Sequence, residues 1–168
     1  MTPWMVILVG VALIQHVILP HVTFFGAHPN LMLVVILAWG LLRGNRDGLI
    51  WALVGGVLLD LFSLAPMGTS TLPLLIVMFL VGLLEFTAFR VVIWLPVAAV
   101  FVATPLFQLL ALTFLKSLGW TTGWGRTLEL LVPMATLNAL FMIIVFPLMR
   151  RVNGWAGQKG IQWRRWET

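Results

Sequence analysis

The chain has 168 residues, of which 61% are hydrophobic and only 9% are charged, and its formal net charge is +5. Soluble domains are about 25% charged, so this composition excludes a soluble globular domain and indicates an integral membrane protein. The chain contains no cysteine, which excludes disulfides and thiolate chemistry. Its basic residues lie at the ends of apolar runs, which is typical of membrane topology signals and does not predict nucleic-acid binding.

Six apolar segments follow one another along the chain, at about 3–19, 29–42, 48–64, 71–89, 91–115 and 128–149. A membrane-spanning helix needs about 20 residues, with a range of about 17–25, and only the second segment is clearly shorter. The pattern predicts an all-α integral membrane protein with six transmembrane helices. We therefore expect a six-span domain at 1–149 and a short tail at 150–168.

The first segment runs apolar from Trp4 and has no basic residue before it. This is a poor match to a cleaved signal peptide, so we expect a retained first span. It carries two polar residues toward its end, Gln15 and His16.

The third segment carries small residues and one acid at a four-residue step: Gly48, Ala52, Gly56 and Asp60, with Gly55 beside them. In a helix this step keeps them on one face. Small residues let another backbone come close, and a carboxylate inside such a segment should face protein rather than lipid. We expect this face to be a helix-packing or partner interface.

Polar side chains inside the apolar segments must find partners, because lipid offers none. At a rise of 1.5 Å per residue, Gln15, His16, Asp60 and Asn138 lie at similar depth. We expect them to form one hydrogen-bonded cluster. Its role is either a polar clamp that holds the bundle together or a binding site or proton path.

The basic residues favour one orientation. If the N-terminus is cytoplasmic, only Lys116 and Arg126 fall outside, and the other eight basic residues fall inside: Arg43, Arg46, Arg90, Arg150, Arg151, Lys159, Arg164 and Arg165. This asymmetry obeys the positive-inside rule. It predicts that both termini are cytoplasmic.

The tail combines basic and aromatic residues, namely Arg150, Arg151, Trp155, Arg164, Arg165 and Trp166. One interpretation is contact with anionic lipid or with a cytoplasmic partner. The other is a plain topology anchor.

Enzyme signatures are missing from the sequence. No serine stands in Gly-x-Ser-x-Gly, and the chain has neither a phosphate-binding loop nor a His-Glu-x-x-His motif. The three histidines have no spacing typical of a metal site. We expect a protein without catalysis, cofactor or metal.

The stretch Pro29-Asn30-Leu31, the Gly55-Gly56 pair with Leu59-Asp60-Leu61, and the Pro66-Met67-Gly68 loop resemble the bacterial MreD family of rod shape-determining proteins. The length, the six-span layout and the basic C-terminus fit this family too. The resemblance implies an inner-membrane subunit of the cell-elongation complex, which supports lateral peptidoglycan synthesis and acts through MreC. It also implies a wider complex with RodA, a class B penicillin-binding protein and MreB.

The same resemblance implies a six-helix bundle similar to the S components of energy-coupling-factor (ECF) transporters. The alternative function is therefore a small-molecule- or lipid-binding transporter subunit. Such a subunit needs a pocket with several polar side chains. The outer loops offer few, such as Thr23, Ser63, Thr69 and Ser70, which favours the non-catalytic scaffold.

Overall fold

A computed structural model of the chain describes residues 3–19, 26–63, 65–83, 94–120 and 124–161. These residues form six α-helices and one short π-helix. The α-helices are α1 (Pro3–Leu13), α2 (Leu31–Arg43), α3 (Asn45–Phe62), α4 (Thr71–Leu83), α5 (Trp94–Ser117) and α6 (Trp124–Ile161), and the π-helix, Ile14–Ile18, continues α1.

Helix α2 lies at the centre of the bundle. Ten of its 13 residues are buried, and it packs against each of the other five α-helices. This burial explains the nearly continuous apolar sequence of α2, since the other helices cover most of its surface. Helix α1 is peripheral by comparison: Val6 is 66% exposed and Val17 is 62% exposed.

A tight turn joins α2 to α3 at Gly44. The backbone of Gly44 has φ +104°, a conformation that side chains with a Cβ rarely adopt. Its N–H donates to the carbonyl oxygen of Gly40 at 2.7 Å, and α3 begins at the next residue. The glycine therefore lets two helices of the core run antiparallel with almost no loop between them.

Two helices are long and apolar enough to cross a membrane by length and composition, Trp94–Ser117 and Thr127–Gly154. Three shorter apolar helices accompany them, at Met5–Val17, Leu31–Arg43 and Thr71–Leu83. The predicted all-α membrane class agrees with these helices, whereas a count of six spans stays a prediction.

The helix boundaries differ from the predicted segments in several places, and α6 begins at Trp124 rather than at residue 128. Helix α3 begins at Asn45, three residues before the predicted start, because the polar first turn is helical as well. Helix α6 continues to Ile161, past the predicted boundary between membrane domain and tail at residue 149. The predicted segment ends near residues 89 and 91 lie outside the described residues.

Candidate functional site

The N-terminus of α2 is capped by polar side chains from three parts of the chain. The side chain of Asn30 accepts from the N–H of Leu33 at 3.0 Å. The Oε1 atom of Gln15 accepts from the N–H of Met32 at 2.8 Å, and Oδ1 of Asn138 accepts from the N–H of Asn30 at 2.8 Å. The first N–H groups of a helix have no partner within the helix. These three amides supply the missing acceptors.

The cap extends into a chain of side-chain hydrogen bonds. The Nε2 atom of Gln15 donates to Oδ1 of Asn30 at 3.2 Å. On the other side, Nδ2 of Asn138 donates to Oγ1 of Thr104 at 3.0 Å, and that hydroxyl donates to the carbonyl of Val100 at 2.8 Å. Asn138 is fully buried and Thr104 nearly so. The network therefore joins the π-helix, α2, α5 and α6.

At Asn138 and Thr104, this network lies deep inside the bundle. Asn138 contacts the start of α2, yet α6 begins at Trp124. At a rise of 1.5 Å per residue, these two positions of α6 are separated by about 21 Å along its axis. Polar capping groups are needed at this depth because an apolar environment provides no substitute partners.

His16 lies beside the network on the π-helix. Its Nδ1 atom lies 3.2 Å from the carbonyl oxygen of Ala12, so this nitrogen carries a proton and donates it to the carbonyl. The imidazole and the ring of Phe62 on α3 have centroids 5.7 Å apart. The hydrogen bond of His16 thus stays within its own helix, and its ring packs against α3.

Asp60 does not join Gln15 and Asn138; the structure divides the expected single cluster into two. The Asp60 carboxylate accepts from the N–H groups of Gly68 at 2.8 Å and Ser70 at 2.7 Å. It also accepts from the N–H of Thr71 at 3.2 Å and from its hydroxyl at 2.6 Å. The side chain of Asp60 faces the loop that leads into α4.

The stripe of small residues on α3 packs within the chain. All five of its residues are buried: Gly48, Ala52, Gly55, Gly56 and Asp60. A Cβ added at Gly48 would lie 2.8 Å from Cα of Gly40 on α2, and one added at Gly56 would lie 2.5 Å from Cα of Thr71 on α4. Backbones this close leave no room for a larger side chain. The stripe therefore serves helix packing against α2 and α4.

A second set of contacts holds the opposite end of α2. The Nε atom of Arg43 donates to Oδ1 of Asn153 on α6 at 2.8 Å, and the guanidinium lies 5.0 Å from the centroid of the Trp39 ring. Trp39 in turn stacks on Trp51 of α3, with centroids 4.4 Å apart. Asp47 lies 3.8 Å from the guanidinium. These contacts join α2, α3 and α6.

The basic tail is described only at its beginning. Arg150 and Arg151 are exposed on α6, on the turn that precedes Asn153. Residues Arg164, Arg165 and Trp166 and the side chain of Trp155 lie outside the described part of the chain. Contact with lipid or a cytoplasmic partner stays a prediction for all of them.

A cavity of about 390 Å³ adjoins the capping network. It is lined by five polar residues and three less polar ones, namely Gln15, His16, His28, Asn30, Gln108, Leu19, Pro29 and Met134. Gln15 and His16 were predicted as candidate site residues, whereas His28, Asn30 and Gln108 were missed. The sequence does hold a signal for Gln108, because it follows Thr104 by four residues and so shares its helix face.

The family model of the rod shape-determining protein MreD matches residues 1–152, that is, most of the chain. No curated protein and no solved structure matches the chain. MreD proteins are membrane proteins, which agrees with the two long apolar helices. The matched region includes both polar clusters and the small-residue stripe of α3. The chain therefore belongs to the MreD family of rod shape-determining proteins, as its sequence motifs predict.

Proposed function

We propose that this chain is a non-catalytic scaffold subunit of the bacterial cell-elongation complex, which supports lateral peptidoglycan synthesis and rod shape through MreC. Membership of the family assigns the role in rod shape. The chain would act by holding other proteins in place. This part of the proposal is supported by its buried polar side chains, which form hydrogen bonds within the fold.

The observation that carries this proposal is the burial and hydrogen bonding of the Asp60 carboxylate. It is 4% exposed, and four hydrogen bonds tie it to the loop and first residue of α4. A general acid, general base or metal ligand must reach a substrate or ion. Because both oxygens of Asp60 already accept hydrogen bonds within the fold, this carboxylate supports architecture rather than chemistry.

The proposed arrangement is a multi-pass protein of the bacterial inner membrane, with six spans at 1–149 and both termini in the cytoplasm. The eight-to-two distribution of basic residues supports this orientation. Consecutive helices that alternate in direction would then place the end of α2 at Arg43 on the cytoplasmic side. The exposed Arg150 and Arg151 lie near this same end, since Asn153 contacts Arg43.

The proposed partners are MreC, and through it RodA, a class B penicillin-binding protein and MreB. Membrane lipids surround the bundle, and no nucleic acid is involved. The exposed apolar residues of α6 support a surface for lipid or for a transmembrane partner, as Val132 is 66% exposed, Leu140 is 56% exposed and Ile144 is 67% exposed.

The direct test is co-purification. The full chain, tagged and expressed in its bacterial host, is extracted in a mild detergent, and the proteins that accompany it are identified by mass. We expect a single-span protein of the MreC type in a fixed ratio, absent from a matched preparation of an unrelated tagged multi-pass protein. A chain that purifies alone at normal membrane levels, while it still restores rod shape, would argue against the scaffold.

A second candidate is a small-molecule- or lipid-binding subunit with a bundle similar to the ECF S components. The cavity favours it, because its polar lining comes from the π-helix, from residues before α2 and from α5 rather than from the outer loops alone. The two candidates differ in their central requirement: a scaffold requires a protein partner, and a binding subunit requires a ligand.

A further inference from the structure

The cavity beside the π-helix holds polar groups with unused hydrogen-bonding capacity. Gln108 donates from Nε2 to the sulfur of Met134 at 3.0 Å, and within the described residues its Oε1 accepts nothing. Asn30 uses its Oδ1 and its backbone, whereas its Nδ2 donates to no atom of the described chain. One group that accepts and one that donates therefore remain at the same cavity.

The histidines add two further acceptors. The Nδ1 atom of His28 lies 3.3 Å from the carbonyl oxygen of Leu19, and that of His16 lies 3.2 Å from the carbonyl of Ala12. Each Nδ1 must carry the proton, because a carbonyl can only accept. In the neutral rings, each Nε2 is then an acceptor.

The lining has a definite chemical character. Its described residues include no Asp, Glu, Lys or Arg, so this part of the chain offers no opposite charge to an ion. The mixture of donors and acceptors matches hydroxyl groups, which do both at once. Leu19, Pro29 and Met134 supply apolar surface, which suits the C–H face of a sugar ring.

The backbone at this place is also unusual. Gln15 and His16 lie on a π-helix of five residues, Ile14–Ile18. Short π-helical turns are rare and frequently occur at functional sites. Here the turn brings both polar side chains of the first helix to one cavity, whose volume of about 390 Å³ falls within the range of about 300–1,000 Å³ that is usual for ligand sites.

We infer that this cavity is a binding site for an uncharged, hydroxyl-bearing group of the sugar type, either a free sugar or the sugar headgroup of a lipid. Hydroxyls of the ligand donate to Gln108 and His28 and accept from Asn30, and the ring lies against Met134. The capping network holds this wall in place, since Asn30 belongs to both.

The test uses the full chain, purified in lauryldimethylamine oxide so that no detergent sugar competes, and placed in phosphatidylcholine nanodiscs. One arm titrates free methyl β-glucoside and measures saturation binding. The other includes monoglucosyl diacylglycerol in the nanodiscs and measures bound lipid by native mass spectrometry. Diacylglycerol without the sugar and phosphatidylserine are the comparison lipids.

Gln108→Leu is the informative variant, because Gln108 lies outside the capping network and its one hydrogen bond within the described residues goes to a weak sulfur acceptor. Loss of one neutral hydrogen bond should weaken binding about 3- to 10-fold. Thr113→Val is the matched control on the same helix, since its hydroxyl is exposed and, among the described residues, bonds only the carbonyl of Leu109. This variant should bind as the wild type does. Both variants should keep the melting temperature of the wild type.

Saturable binding of either glucoside, weakened by Gln108→Leu alone, supports the site, and the arm that responds identifies its source as free sugar or lipid. Absence of saturable binding to folded wild-type protein overturns it. So does equal binding by Gln108→Leu, or tighter binding of phosphatidylserine than of the glucosyl lipid. The binding measurement uses the purified chain without partners, so a negative result would not affect the outcome of the co-purification test of the scaffold.

Discussion

Asp60 and Thr71 are joined twice: one carboxylate oxygen of Asp60 accepts from the N–H of Thr71 at 3.2 Å and from its hydroxyl at 2.6 Å. Thr71 is the first residue of α4. The carboxylate of α3 therefore lies at the N-terminus of the next helix, where the helix dipole favours a negative charge. Asp60 caps a helix other than its own.

The number of donors around Asp60 predicts that a neutral amide cannot replace it. Asp60→Asn keeps one acceptor oxygen, and its NH₂ group would face an N–H that it cannot bond. We expect a loss of about 1–3 kcal/mol in the free energy of unfolding, and a larger loss for Asp60→Leu. Thr71→Val removes only the hydroxyl bond and should cost less than either. Thermal unfolding in detergent ranks the three.

Two outcomes of that ranking would contradict the capping role of the Asp60 carboxylate. If Asp60→Asn unfolds at the wild-type temperature, the four hydrogen bonds do not hold the loop. If Thr71→Val is the worst of the three, the hydroxyl rather than the carboxylate is the critical group.

Gly56 gives a second test, of close approach between α3 and α4. A Cβ at this position would lie 2.5 Å from Cα of Thr71. A backbone atom cannot move aside as easily as the end of a flexible side chain. Gly56→Leu should lower the free energy of unfolding by about 1–3 kcal/mol or more. Val57→Leu is the matched control, because Val57 is 38% exposed. Equal melting temperatures for the two variants would contradict the packing of the stripe.

The helices and the stripe could be predicted because each depends on sequence periodicity. A four-residue step of small residues fixes one face of α3 whatever that face contacts, and all five predicted residues are buried. The sequence could also have predicted that Asn30 caps α2, since Asn is a favoured residue before a first helical turn.

The partners of Asp60 could not be predicted in the same way. Counting residues along a helix predicts the depth of a side chain in the membrane. Depth does not give the direction in which each residue faces, and the loop before α4 folds back onto the carboxylate through Gly68, whose φ is +97°. The π-helix could not be predicted from the sequence either, because no residue type is characteristic of such a turn.

Topology provides a third prediction. Reporter fusions after Arg46 and after Thr168 should report the cytoplasm, and fusions after Pro66 and after Gly119 should report the outside. The reason is the excess of basic residues on the first side. Paired reporters, one active only in the cytoplasm and one only outside, provide the control at every site. An outside signal at Thr168 would contradict the six-span arrangement.

The last prediction concerns Asn138, which is fully buried and accepts from the N–H of Asn30. Asn138→Leu has a similar volume but leaves that N–H without an acceptor inside the bundle, which costs about 1–3 kcal/mol. The control Thr136→Val lies on the same helix and is exposed, and among the described residues its hydroxyl bonds only the carbonyl of Val132, so its stability should be unchanged. Hydrogen exchange of the backbone amides provides a local measurement beside the melting temperature. In Asn138→Leu the amide of Asn30 should exchange faster, while the exchange rate of the Met32 amide, which bonds Gln15, should change less. Uniform loss of protection along α2 would instead indicate that the whole helix loosens, and an unchanged Asn30 amide would show that Asn138 does not cap it.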